Sequence, residues 1–325
     1  MKLSRLGPIA VTLAILLAAL YMYRDNISLG QFMERVAGLS LVPLVFAAIF
    51  FALAISGTSA RYKFIIQRMT GTKVSLSYLI LLSNFSFACG YVAPVSVTTE
   101  VLRVAFTKQH LNIDYSQSIR LVVVDKLLGL AGVALVSLAF IPLKIAYGIN
   151  RDLIVVEGIA LISVFAAIFL LPRFISLLTS ATVIKRHLAS VSEDAHFIVG
   201  NLWNLPDTVR LLFYTVVAVG GFGVGTIFVA QAVHLDLAPG LIFILSPTVL
   251  LVQNAPMFYA GFGAREAVLL AAFHTTSSQI DPNAVLGFSI MIGIMLLVAA
   301  VPPSLLFIVS ALNDLRFGRG DAVPK

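Results

Sequence analysis

The sequence predicts an all-α integral membrane protein, and three observations support that prediction. Hydrophobic residues make up 59% of the 325 positions and charged residues only 11%, whereas soluble globular proteins carry about 25% charged residues. Several apolar segments approach or exceed the roughly 20 residues that a helix needs to cross a bilayer. The net charge of +7 lies in short loops between these segments, where it favours membrane orientation over nucleic-acid binding.

Six segments are apolar enough to be spanning helices. The first resembles a signal peptide but lacks a small-residue cleavage site, so we interpret it as an uncleaved signal anchor. Pro302 and Pro303 are expected to kink the last one. The segments are Pro8–Tyr23, Leu41–Ser59, Leu121–Ile145, Leu153–Leu171, Leu211–Val233 and Ala284–Ala311.

Two further apolar stretches are interrupted. Leu76–Val92 is followed by Pro94 and a polar run, and Gly240–Val252 is followed by Pro256 and then Gly261–Phe273. Each reads as a short helix, a break and a second short helix. Both stretches are either re-entrant hairpins or spanning helices, and the second alternative gives eight spanning helices.

The distribution of lysine and arginine favours the re-entrant alternative. With a cytoplasmic N-terminus and two hairpins, sixteen of the 22 basic residues face the cytoplasm and four lie in outer loops, as the positive-inside rule requires. A single crossing by the first stretch would move Arg103, Lys108 and Arg120 outside. We therefore predict one polytopic domain over residues 1–325 in the inner (plasma) membrane, with six spanning helices, two re-entrant hairpins and both termini cytoplasmic.

This topology predicts an inverted repeat with halves of roughly 1–150 and 151–325. Each half reads helix, helix, hairpin, helix, in opposite orientations, as in secondary transporters that bind substrates at broken helices near the bilayer midplane. Residues 173–210 predict an amphipathic helix on the cytoplasmic surface. Gly221 and Gly225 form a G-x-x-x-G pattern, which predicts a close helix–helix contact.

The two breaks are candidate sites for an anionic group. A helix that restarts after a break exposes free N–H groups and the positive end of its dipole. Gly261 and Gly263 would let a headgroup approach the backbone, or they serve only tight helix packing. Asn84 and Asn254 precede the prolines of the two breaks and join the candidate site.

Charged residues near the breaks complete the candidate site. Arg265 and Glu266 lie at membrane depth, where ionisable residues mark a substrate path; a structural ion pair is the equally open alternative. Glu100 and Arg103 share one helix face and can pair.

Asp125 and Lys126 are predicted to lie one turn into a helix that begins near Arg120. Asp125 is expected to accept from Arg103 or Lys126, and Lys126 alternatively snorkels to the interface. A structural role for this acidic–basic pair is as open as a substrate-binding one. No catalytic, nucleotide or metal motif is visible, and we expect no enzyme activity, no cofactor and no metal site.

These residues resemble the motifs of a known family, the transmembrane region of lysylphosphatidylglycerol synthases, a flippase-like integral membrane domain. The resemblance covers nearly the whole chain. Three departures stand out: Thr99 replaces a glycine, Gly129 replaces an aspartate, and "MFYA" replaces a Ser-Pro. The matching residues are Asn84, Pro94, Glu100 and Arg103, then Asp125 and Lys126, then Pro256, Gly261, Gly263 and Glu266.

The resemblance implies movement of lipid between leaflets, or support of a lipid-linked pathway. Because the chain ends soon after its last span, we expect no soluble aminoacyltransferase domain. The first hypothesis is a transporter of an anionic phospholipid or a polyprenyl- or hopanoid-type lipid. Arg103 and Arg265 would neutralise phosphate, and Glu100, Asp125 and Glu266 would set the geometry. The alternative is a non-catalytic membrane partner of a glycosyltransferase or lipid-modifying enzyme, docking through 173–210; no nucleic acid is expected.

Overall fold

The computed structural model describes residues 38–92, 98–149, 204–254, 264–276 and 281–316, and the short pieces 151–152, 154–155, 157–159 and 162. The predicted span Pro8–Tyr23, most of Leu153–Leu171 and the surface segment 173–210 up to residue 203 lie outside the described residues. So do Gly261 and Gly263.

Helices and connecting turns make up the described part of the chain, which contains no strand. The all-α prediction is therefore confirmed there. The helices, apart from the short pieces within 151–162, are α1 (Leu41–Thr70), α2 (Leu76–Val92), α3 (Thr98–Leu111), α4 (Tyr115–Ala139), α5 (Ile141–Ala146), α6 (Leu205–Ala232), α7 (Pro239–Gln253), α8 (Ala264–Thr276) and α9 (Pro282–Arg316).

Four of these helices, α1, α4, α6 and α9, are long and apolar enough to cross a membrane, and they correspond to four predicted spans. The predicted bounds of α1 and α4 were wrong. α1 continues to Thr70 rather than stopping at Ser59. α4 begins at Tyr115, where the Asp114 side chain accepts from the Gln117 N–H at 2.6 Å, and it ends before Phe140, so the predicted Leu121–Ile145 is displaced along the chain.

The helix α9 runs without interruption through Pro302 and Pro303. Neither proline ends the helix. The kink expected at these residues stays a prediction.

The first interrupted stretch forms an antiparallel pair of short helices. Thr99 at the start of α3 packs on Gly90 near the end of α2. At the other end, the Tyr78 hydroxyl donates to the Phe106 carbonyl at 3.3 Å and the Tyr78 ring stacks on His110. The two helices have 17 and 14 residues, or about 25 and 21 Å at about 1.5 Å per residue, which is short of the roughly 30 Å hydrocarbon core.

The second interrupted stretch also contains two short helices. α7 and α8 have 15 and 13 residues, about 22 and 20 Å in length, and they contact each other. The prediction that each stretch contains two short helices is confirmed, and the residues between the two helices lie outside the described part of the chain.

The helix contacts have a two-fold pattern. When α1, α2, α3 and α4 are exchanged with α6, α7, α8 and α9 in that order, contacting pairs map onto contacting pairs. The α1–α2 contact maps onto α6–α7, α2–α3 onto α7–α8, α3–α4 onto α8–α9, and α2–α9 onto α7–α4. The α1–α6 contact maps onto itself and lies at the centre of this pattern.

Small residues allow α1 and α6 to approach closely. A Cβ on Gly221 would lie 2.8 Å from the Phe50 carbonyl oxygen and 2.9 Å from the Ala54 nitrogen. A Cβ on Gly225 would lie 2.7 Å from the Phe51 ring. The close contact predicted from the G-x-x-x-G pattern is confirmed.

Apolar side chains cover much of the outer surface. They occur on α1, α6 and α9, where a lipid-facing helix places them, and include Leu41, Val45, Ile49, Phe213, Leu305 and Leu306. Several charged side chains instead lie inside the helix bundle, including Asp125, Arg265 and Glu266. Because ionisable residues inside a membrane protein mark candidate functional sites, the interior of the bundle is where such a site is expected.

The α1–α6 contact provides a stability test. Gly221→Ala places a methyl group against α1 backbone atoms, and such overpacking costs about 1–3 kcal/mol, so we expect a lower thermal unfolding temperature in detergent. Gly220→Ala is the matched control, because nothing lies within 4 Å of its Cβ position and alanine favours helix by about 0.5–1 kcal/mol over glycine. Equal shifts for both variants would contradict the close contact.

Candidate functional site

A cavity of about 220 Å³ lies between the two halves of the helix pattern. Helices α1 to α4 line one side, and α6, α7 and α9 line the other. We call it the central cavity. Five charged side chains line it, which are Arg61, Glu100, Arg103, Asp125 and Lys126. Its remaining wall is largely apolar and includes Ile55, Phe87, Val219, Phe222 and Leu250.

Asp125 links three helices, α1, α3 and α4, at the wall of the central cavity. Its two carboxylate oxygens accept from different arginines, Oδ1 from Arg61 Nε on α1 and Oδ2 from Arg103 Nη2 on α3, each at 2.9 Å. The Asp125 side chain is 2% exposed. The expected bond to Arg103 is confirmed, and Arg61, rather than Lys126, is the second partner.

The position of Asp125 corrects a sequence prediction. Because α4 begins at Tyr115, Asp125 and Lys126 lie about 15 Å along the helix rather than one turn from its start. They therefore sit near the middle of a helix that is long and apolar enough to cross a membrane.

Arg61 is the charged cavity residue that sequence reasoning missed. The hydropathy pattern ended its span at Ser59 and placed Arg61 in a cytoplasmic loop. The available signal was the buried apolar set Tyr62, Ile65 and Ile66, which continues the helical period beyond the charge. Its guanidinium occupies the space over Gly129, where a Cβ would lie 2.5 Å from Nη2.

Arg103 is held by a second set of contacts on its other side. Its guanidinium carbon lies 4.0 Å from the centre of the Tyr62 ring, a distance at which a cation and an aromatic face attract. The Tyr62 hydroxyl in turn hydrogen-bonds the Thr107 hydroxyl at 3.0 Å. These contacts fix Arg103 against both α1 and α4.

Glu100 and Lys126 form the accessible ion pair of the central cavity. Lys126 Nζ donates to Glu100 Oε1, and the two side chains are 35% and 26% exposed. Glu100 and Arg103 were predicted to pair with each other along one face of α3. Each instead bonds to α4, Glu100 to Lys126 and Arg103 to Asp125. The three cations and two carboxylates of the cavity leave one positive charge in excess.

The two predicted asparagines occupy different surroundings. Asn254 lines the central cavity at the end of α7, beside Gln253. Asn84 is buried inside α2 and does not belong to the described lining. Each amide nitrogen donates to the carbonyl four residues earlier, at 2.8 Å for Asn84 and 2.7 Å for Asn254.

Arg265 and Glu266 form a separate buried cluster with Ser289. Arg265 Nε donates to Ser289 Oγ at 2.8 Å, and Ser289 Oγ donates to Glu266 Oε1 at 2.6 Å. Arg265 Nη2 lies 3.4 Å from the same carboxylate oxygen. Arg265 also hydrogen-bonds the Tyr91 hydroxyl at the end of α2. The cluster thus joins the broken stretches of both halves, and its charged residues are not among the described lining of the central cavity.

A third polar cluster was not anticipated from the sequence. Lys144, one of the four basic residues that the charge count assigns to outer loops, is 1% exposed and contacts both carboxylate oxygens of Glu157, at 2.6 and 2.7 Å. It also donates to Ser137 at 2.9 Å and to Thr248 on α7 at 2.8 Å. The cluster ties α4 and α5 to the first helix of the second hairpin.

Comparison with known proteins gives one match. A family model described as "Lysylphosphatidylglycerol synthase TM region" matches residues 9–304. No curated protein matches the chain.

Two departures from the family pattern, Thr99 and Gly129, are each accommodated by a neighbouring residue. Thr99 has room because its neighbour on α2 is Gly90. Gly129 leaves the space that the Arg61 guanidinium fills. Both substitutions therefore lie at the wall of the central cavity.

Removing the negative charge of Asp125 tests how much its two arginine bonds stabilise the fold. Asp125→Asn leaves Arg61 and Arg103 buried without their counter-charge, and breaking a buried pair in this way costs about 3–5 kcal/mol. We expect a large drop in thermal unfolding temperature. Asp236→Asn is the matched control, because Asp236 is exposed in the loop between α6 and α7, where loss of the charge leaves no buried cation. A similar loss in both variants would contradict the special role of Asp125.

Proposed function

Because the chain belongs to the lysylphosphatidylglycerol synthase transmembrane-region family, we propose that it is a transporter that moves an anionic lipid, or a lipid-linked anionic headgroup, between the two leaflets of the inner membrane. The observation that carries this proposal is the central cavity. It is lined by helices of both interrupted stretches and by the middle of α4, and it has one positive charge in excess. A buried charge inside a membrane-spanning bundle is costly and marks a substrate path by default.

The cavity suits a headgroup rather than an entire lipid. Its volume of about 220 Å³ is below the roughly 300–1,000 Å³ of pockets that enclose drug-sized ligands. The headgroup would enter the cavity while its acyl or prenyl tail stays in the bilayer. Lys126 and Arg103 would neutralise the phosphate, and Asp125 would hold Arg103 in place.

The contact pattern supports an inverted repeat as the frame for this transport. Glu100 and Glu266 are each the third residue of the second short helix in their half. Each also bonds to the long helix that follows, through Lys126 on α4 or Ser289 on α9. On this proposal the two hairpins enter from opposite sides, the termini are cytoplasmic, and the protein is not an enzyme.

The exposed lysine of the cavity provides a test of transport. Lys126→Gln removes one charge and its charge-assisted hydrogen bonds, each worth about 1.5–3 kcal/mol. We expect transfer of a fluorescent anionic phospholipid between vesicle leaflets to slow about tenfold or more, since about 1.4 kcal/mol corresponds to a factor of ten.

Lys108→Gln is the matched control for this experiment. Lys108 lies over the Tyr115 ring at 4.4 Å, outside the described lining of the cavity. Transfer by Lys108→Gln should equal that of the wild type. Transport is ruled out as the function if vesicles that contain the wild-type protein transfer the labelled lipid between leaflets no faster than protein-free vesicles.

Cysteine labelling in whole cells tests the orientation. In a Cys89→Ala background, Asp236→Cys is expected to react with a membrane-impermeant maleimide added outside, and Thr72→Cys only after the membrane is permeabilised. Both positions are exposed and lie in turns between helices. The reverse labelling pattern would invert the proposed orientation, and labelling of both from outside would contradict the topology.

A further inference from the structure

The accessible ion pair of the central cavity leaves hydrogen-bond donors unused. An ammonium group has three N–H donors. Within the described residues, Lys126 Nζ donates one hydrogen bond, to Glu100 Oε1. The Lys126 side chain is 35% exposed, so the remaining donors are open to an anionic oxygen.

The same part of the cavity also holds unused acceptors. Glu100 Oε2 and Gln253 Oε1 are buried and have no hydrogen-bond partner among the described residues. Both side chains line the central cavity, Glu100 from α3 and Gln253 from α7. Rotation of a terminal carboxyl or amide group is the softest torsion of these side chains and would turn the oxygens toward a ligand.

The carboxylates of Asp125 and Glu266 do not show this pattern. Both oxygens of Asp125 already accept from arginines. Glu266 is enclosed with Arg265 and Ser289 and is 2% exposed. The unused donors and acceptors therefore coincide where the two halves meet at the accessible side of the cavity.

We propose that the cavity selects a headgroup that combines an anionic oxygen with a hydrogen-bond donor, such as a phosphodiester that also bears a hydroxyl or ammonium group. The anionic oxygen binds Lys126, and the donor binds Glu100 and Gln253. A headgroup without a donor leaves the two acceptors buried and unpaired, and a site built to hydrogen-bond a hydroxyl rejects analogues that lack it. This inference rests on the proposed lipid transport and specifies its substrate class.

Two lipids of equal charge separate this selection from simple charge attraction. Phosphatidylglycerol and phosphatidylmethanol are both monoanionic phosphodiesters, but only the first has headgroup hydroxyls. With the same labelled acyl chain and the same purified protein in vesicles, we expect phosphatidylglycerol to cross about tenfold faster or more, the factor that about 1.4 kcal/mol produces. The ratio of the two rates does not depend on how much protein is folded.

Gln253→Leu removes one of the two acceptors without changing charge. We expect it to bring the ratio of the two rates closer to one. Gln109→Leu is the matched control, because Gln109 is exposed on α3 and outside the described lining, and its ratio should equal that of the wild type. An unchanged ratio in Gln253→Leu would overturn the assignment of this residue.

The outcomes for the wild type distinguish the two proposals. Equal transfer of both lipids would overturn the inferred selection and leave lipid transport standing. Transfer of neither lipid above protein-free vesicles would overturn the transport itself. Uptake of labelled glycerol phosphate into the same vesicles without lipid movement would assign the cavity to a water-soluble phosphate and overturn the inference.

Discussion

The fold of the first half depends on one carboxylate, Asp125, shared by Arg61 and Arg103. Isolated charges at membrane depth are costly, and these three groups compensate one another through two bonds of 2.9 Å. Because they come from α1, α3 and α4, the electrostatic requirement fixes where the short hairpin sits against two long helices. These three groups also line the central cavity. The remaining cation of the cavity, Lys126, lies beside them and pairs with the partly exposed Glu100.

Glycines contribute to helix packing in this structure as much as the charged residues do. Gly129 makes room for the Arg61 guanidinium, Gly90 for Thr99, and Gly221 for the backbone of α1. In a bilayer the apolar solvent gives helices little reason to associate, so close packing and polar bonds hold them together. Each of these glycines permits a contact at the wall of the cavity or at the centre of the helix pattern.

The two halves use an equivalent glutamate differently. Glu100 and Glu266 occupy the same position in the short helices α3 and α8. Glu266 is enclosed with Arg265 and Ser289, which fits the structural ion pair left open as an alternative to a substrate role. Glu100 instead faces a cavity and pairs with an accessible lysine. In the proposed mechanism the charged side chains of the first half therefore bind the headgroup together with Gln253 of α7, while Arg265 and Glu266 hold α8 against α2 and α9.

The sequence by itself determined the class of protein, four described spans, the two interrupted stretches and a close helix contact at Gly221 and Gly225, because hydropathy and small-residue spacing are local signals. It also selected Glu100, Arg103, Asp125 and Lys126 for the site. It misplaced Arg61 and Lys144, because a charge at the end of an apolar run looks like a loop boundary. Only the tertiary structure decided which charges pair: the partners of Asp125 lie 64 and 22 residues away, and which side chains meet depends on how separate helices pack rather than on any local pattern.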